Sequence, residues 1–230
     1  MNWLFLMVSL FIPVVGPIVA TGWLIRCFVA WHHNRPTPDF NFNYFGDYLK
    51  EGLWPFLVSL TYSFAALIIF LPLFFGGFFF LASGDGSGRD SGSHALFLIL
   101  FIFFSEMIAL SLLNFITTPA IIRSALLQDY KSGFSRAFIF DFLKRCWGPI
   151  LLSQIGYFAL ACLAIIVGYL ALFIGVYFTM SLMMFVHYHL LYQVYQSHLA
   201  KGGDPLTIHP SLLPPTPPAL PSSGGPSSGD

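Results

Sequence analysis

A chain of 230 residues in which 57% are apolar, 27 are phenylalanine and only 9% are charged cannot assemble a water-soluble surface. Its 10 Lys and Arg balance 10 Asp and Glu, so the formal charge of zero carries no signal of its own and only the placement of the charges informs. The composition puts the chain in a bilayer, and runs that are apolar on every face exclude a β-barrel, whose strands alternate polar and apolar residues.

Hydrocarbon about 30 Å thick needs roughly 20 apolar residues per helix. Five segments meet that need, at about 3–31, 53–82, 95–117, 149–170 and 172–194, and predict an all-α, multi-pass transmembrane domain over residues 1–200. The last two come from one run too long for a single crossing, divided by a tight turn near Gly168 to Leu172. The first segment has no Lys or Arg before Arg26, so a retained N-terminus is expected rather than a cleaved signal peptide. Its FIPVVGP stretch carries Pro13, Gly16 and Pro17, which break the amide ladder and make the segment either a kinked span or a re-entrant hairpin.

The connection RPTPDFNFNYFGDYLKEGLW predicts a proline-containing turn and a short helix from about Phe45. In the connection 118–146, Ile121, Ile122, Ala125 and Leu126, and then Phe138, Phe142 and Cys146, recur at helical spacing. They predict two short amphipathic interfacial helices about a turn at Ser132 and Gly133, with Arg136, Lys144 and Arg145 reaching headgroups. Every Lys and Arg except Arg89 falls in the connection 26–50, the connection 118–146 or the C-terminal tail. Positive-inside bias then makes those regions cytoplasmic and places the N-terminus outside the cell membrane and the C-terminus in the cytoplasm. Trp3, Trp31, Trp54 and Trp147 fall at the expected boundaries.

The DYLKEGLWPFLVS stretch from Asp47 is answered 94 residues later by DFLKRCWGPILLS from Asp141, and the wider comparison gives eight identities in nineteen positions. Asp47 with Lys50, and Asp141 with Lys144, are spaced to pair on a helix at about 0.2–0.5 kcal/mol each. Pro55 and Pro149 each follow their Asp by eight residues and mark a bend from the interface into a span. Two crossings separate the copies, so an internal repeat would be parallel, about an axis along the membrane normal.

Glu106 lies at the centre of the third span, where an ionised carboxylate costs at least about 2.5 kcal/mol. It is either a proton or cation site or a neutral carboxyl bonded to a neighbour, and Gln154 on the fourth span is a candidate partner. His187 and His189 point apart on a helix and make a poor chelating pair. Cys27, Cys146 and Cys162 match no metal spacing, and no nucleophile elbow, P-loop or dinucleotide fingerprint occurs. The tail 201–230, rich in Pro, Ser and Gly, is expected to be disordered and cytoplasmic, and its PPTPP has the spacing of an SH3-type ligand.

A Gly and an Arg four apart, Gly22 and Arg26, then Pro38 and Asp39 before Phe40, then a short helix ending at Gly52, form a pattern. In it the chain resembles the multi-pass prokaryotic membrane proteins grouped as domain of unknown function 4013, over residues 5 to 200 or so. The resemblance implies an integral protein of the cell membrane and no known activity, catalytic residue or cofactor. The bulky Phe surfaces and the two amphipathic connections fit contact with lipid or partner helices, so the expected role is a membrane scaffold or accessory subunit, not an enzyme. Its partners would be the lipid bilayer and other membrane proteins or copies of itself, with no nucleic acid, metal or cofactor. The alternative is a small transporter or channel that uses Glu106 as an intramembrane proton or cation site.

Overall fold

The computed structural model describes residues 7–83, 91–170 and 174–213. Among them there are helices and no strands: α1 (Val15–His32), α2 (Phe45–Ser83), α3 (Ser91–Leu127), α4 (Arg136–Leu170) and α5 (Ile174–Ala200). Helices α2 and α3 form one hairpin and α4 and α5 another, while α1 packs on α2 and α5. Three stretches, Val15–His32, Phe42–Ile68 and Arg136–Gly168, are long and apolar enough to cross a membrane.

Packing divides the molecule into two zones. At the end that carries the cations, Tyr48, Ile122, Leu126, Phe142, Ile150, Leu191 and Tyr195 close around α1, whose Val19, Ala20, Leu24 and Cys27 are wholly buried. Toward the far ends of the hairpins, side chains such as Ile68, Phe79, Phe101, Ile166 and Leu170 lie exposed. Helices apolar on every face need a hydrocarbon surround. At 1.5 Å per residue, the 39 residues of α2 reach about 58 Å, so its first turns stand beyond a hydrocarbon layer of about 30 Å.

The short interfacial helices expected before Pro55 and Pro149, and after the third span, are not separate elements. They are the first turns of α2 and α4 and the last turns of α3, with both prolines inside continuous helix. A proline in a helix strands the carbonyl four residues back, and here both stranded carbonyls find donors. The Gln128 amide donates to the Glu51 carbonyl at 3.1 Å, and the Lys201 ammonium to the Arg145 carbonyl at 2.7 Å. Each donor is the first residue beyond the helix that pairs with the proline-bearing one. The expected Asp–Lys pairs do not form: Asp47 faces Arg26 at 3.7 Å and Asp141 pairs with Arg145 at 2.9 Å, and neither Lys50 nor Lys144 makes an ion pair among the described residues.

The first segment is broken at 11–14, where its prolines and glycine predict a kink or a re-entrant turn. A helical turn at 7–10 gives way to a bend at which Val14 adopts φ 67°. The chain reverses so tightly that a Cβ on Gly16 would strike the Ser9 carbonyl. Phe11 stacks on Tyr177 at 4.2 Å, and Pro17 sits in the first turn of α1, where its missing amide costs nothing.

The disorder expected of the tail does not hold for residues 201–213. Helix ends leave carbonyls without partners, and the tail uses one: His209 N–H donates to the Leu126 carbonyl at 2.8 Å. Leu206 N–H donates to the Tyr195 hydroxyl at 2.9 Å, and Leu212 is buried. The PPTPP motif lies outside the described residues.

Candidate functional site

Where α1 crosses α2 the two backbones touch. A Cβ on Gly22 would strike the Tyr48 carbonyl, and one on Gly52 would strike the Ile18 carbonyl. Glycine is needed at both positions for that approach. The crossing brings Arg26, one turn beyond Gly22, onto Glu51, next to Gly52. The guanidinium grips the carboxylate in two parallel bonds, Nε to Oε2 and Nη2 to Oε1, each 2.7 Å. This fork geometry is the strong form of the pair. Glu51 is only 4% exposed, and the Tyr48 and Tyr44 rings lie 4.8 and 5.4 Å from the guanidinium carbon.

The loop between α1 and α2 folds over this pair. Asn34 takes a left-handed φ of 53°, which an asparagine tolerates, and Arg35 N–H donates back to the Ala30 carbonyl at 2.8 Å. Trp23 Nε1–H donates to the Pro38 carbonyl at 3.1 Å, and Trp31 Nε1–H to the Thr37 hydroxyl at 3.1 Å. The buried Phe40 then packs on Trp23 and Tyr48, with ring centroids 6.1 and 5.2 Å apart. Gly22, Arg26, Pro38, Phe40 and Gly52 thus converge on one crossing, whereas Asp39 stays exposed.

Beside the crossing opens a cavity of about 520 Å³, walled by Arg26, His33, Arg35 and Asp47, by the prolines of the loop, and by Ser211 to Leu213 of the tail. A second hollow of about 510 Å³ lies along α4 and α5 between Gly148, Pro149, Ser153, Gly156, Leu190 and Gln193.

The other sequence candidates fall elsewhere. Glu106 is on α3, and its side chain lies outside the described residues. Gln154 is on α4, where both amide atoms are buried without a hydrogen-bond partner. Among the described residues no three His, Cys, Asp or Glu side chains gather as a metal group. Glu51, Gln128 and Lys201 escaped the sequence reading. For the last two the available signal was Pro55 and Pro149, each of which announces, four residues earlier, a carbonyl in need of a donor.

His198 escaped as well. It stacks on Phe142 at 4.5 Å, is buried with neither ring nitrogen hydrogen-bonded, and touches Gly203, where a Cβ would collide with the ring. Burial holds its pKa below the ordinary value of 6.5.

An all-helical membrane protein with a glycine-seated Arg–Glu crossing is the class these features define. The sequence model of the family described as "Protein of unknown function (DUF4013)" matches residues 5–180, and the chain belongs to that family. No curated protein and no solved structure matches it.

Proposed function

We propose that the protein is a non-enzymatic scaffold or accessory subunit of the cell membrane, N-terminus outside and C-terminus in the cytoplasm, that seats a helix of another membrane protein or of a second copy. The observation that carries this reading is the hollow on α4 and α5. A Cβ at Gly148 or Gly156 would meet nothing within 4 Å, and small residues let helices in a bilayer approach closely. The packed zone around α1 would hold that face rigid, and the cations gathered at this zone support its placement on the cytoplasmic side.

A photo-crosslinker placed at Leu152 in the native membrane tests it. The expected result is a discrete protein adduct that Gly156→Phe abolishes while the chain still accumulates. Adducts to lipid alone, in both forms, would overturn it. The second reading, a small transporter or channel working through Glu106, draws support from the unpartnered buried amide of Gln154. It predicts proton or cation flux in proteoliposomes that Glu106→Gln removes.

A further inference from the structure

The cavity beside the Arg26 crossing has the size and the polarity of a headgroup site, and both signs of charge line it. About 520 Å³ falls within the roughly 300–1,000 Å³ of small-ligand sites. Glu51 already neutralises Arg26 through the two-bond fork. Arg35, in contrast, is exposed and makes no ion pair among the described residues. The ring of His33 donates Nδ1–H to the Val29 carbonyl at 2.8 Å, so Nε2 of the neutral ring is an acceptor and offers nothing to a phosphate oxygen. Across the lining, Asp47 keeps a side chain 53% exposed and only a 3.7 Å contact to Arg26. Tyr44 adds an aromatic face, a surface that attracts ammonium groups. Val29, Ala30 and the tail leucines 212 and 213 complete an apolar wall.

A phosphate alone would leave Asp47 opposing it, and an amine alone would be opposed by Arg35. A group that carries both charges satisfies both walls. We propose that this cavity binds a phosphoethanolamine-type zwitterion, its phosphate on Arg35 and its ammonium on Asp47 and Tyr44, with the tail segment 211–213 closing one side. The same chemistry is offered by a phosphatidylethanolamine headgroup and by free phosphoethanolamine.

Native mass spectrometry of the full chain, released from detergent with equimolar phosphatidylethanolamine and phosphatidylglycerol, tests the assignment. One phosphatidylethanolamine should be retained per chain in preference to phosphatidylglycerol. Arg35→Gln should weaken that retention about tenfold, as the loss of one charge-assisted contact implies. Asp47→Asn should abolish the preference between the two lipids, and Lys131→Gln, an exposed cation elsewhere, should leave both unchanged. Displacement by millimolar O-phosphoethanolamine would identify the headgroup alone as sufficient, and its failure to displace would identify the lipid as the ligand. Equal retention of both lipids by the wild type would overturn the proposal. So would a preference that survives Asp47→Asn, or a loss with Lys131→Gln as large as that with Arg35→Gln. Hydrogen exchange across 206–213, slowed by phosphatidylethanolamine in the wild type and not in Arg35→Gln, would separate lost binding from lost folding.

Discussion

The starts of α2 and α4, related by the 94-residue offset, solve one backbone problem in the same way and their side-chain problems in opposite ways. In both, a proline strands the carbonyl four residues earlier, at Glu51 and at Arg145, and a residue just past the partner helix supplies the donor. In both, the aromatic after the aspartate is buried, Tyr48 at 2% and Phe142 at 0% exposure. The position that carries the stranded carbonyl is where they part. Glu51 is acidic like Asp47 and needs a cation from another helix, which α1 supplies as Arg26. Arg145 satisfies Asp141 within its own helix and reaches on to the Lys201 carbonyl at 2.8 Å. The first start is therefore locked to α1, and the second is tied to the end of α5 and the tail. A stranded carbonyl has one remedy, a donor, whereas a carboxylate accepts any cation that the surrounding helices bring within reach.

The largest test of this difference is Glu51→Ala. Removing the buried partner leaves Arg26 with only the 3.7 Å contact to the exposed Asp47, and the loss should be about 3 kcal/mol, the low end for a broken buried pair because the Arg26 side chain keeps 22% exposure. Arg145→Ala, whose partner is at the surface, should leave thermal unfolding in the same detergent nearly unchanged. Next in size, Gly22→Ala forces the α1–α2 crossing apart and should cost about 1–3 kcal/mol by overpacking. Gly156→Ala, in open space, should be neutral or slightly stabilising through helix propensity. Equal melting shifts for the two glycine variants would refute the close crossing.

The two proline remedies differ in exposure, and this sets their weights. Gln128 is half-buried, so Gln128→Ala should cost about 1 kcal/mol, the value of a typical lost hydrogen bond. Lys201 is exposed, water can replace its ammonium, and Lys201→Ala should cost less. Equilibrium unfolding of the pair would sharpen the comparison, and a reversed order would sink it.

The smallest effect concerns pH and only the α4 side. Because burial lowers the native pKa of His198, the unfolded chain binds the proton more readily. Its contribution is fully present above the ordinary value of 6.5 and is lost as pH falls through 6.5 toward the depressed native value. Asp141, Arg145 and Asp204 are the charges that act on it, and none of them hydrogen-bonds a ring nitrogen. The melting temperature of the wild type should therefore fall below pH 6.5 relative to that of His198→Phe. Parallel curves for the two proteins would remove His198 as the titrating group.

Much of this was readable in advance from local chemistry. Long apolar runs allow only helices in hydrocarbon, so the helical class followed from composition and length. FIPVVGP announced a broken first segment because proline and glycine act on their own backbone. The short motif from Gly22 to Gly52 marked the right stretch of chain, although nothing in it says that Arg26 turns to Glu51 rather than to Asp47. The tail illustrates the reverse. Its composition cannot form a core of its own, and residues 201–213 are ordered by carbonyls and hydroxyls on α3 and α5.

By itself, the sequence determined that this is a helical membrane chain and where its backbone would need help, because periodicity, proline and hydrophobicity act over a few neighbouring residues. Only the tertiary structure decided which donors give that help, which acid holds Arg26 and what closes the cavity beside it. The hydrogen-bonding partners lie between 25 and 77 residues away in the chain, as Arg26 from Glu51 and Gln128 from Glu51, and a hydrogen bond depends on distance in space, which helix crossing sets and local sequence does not.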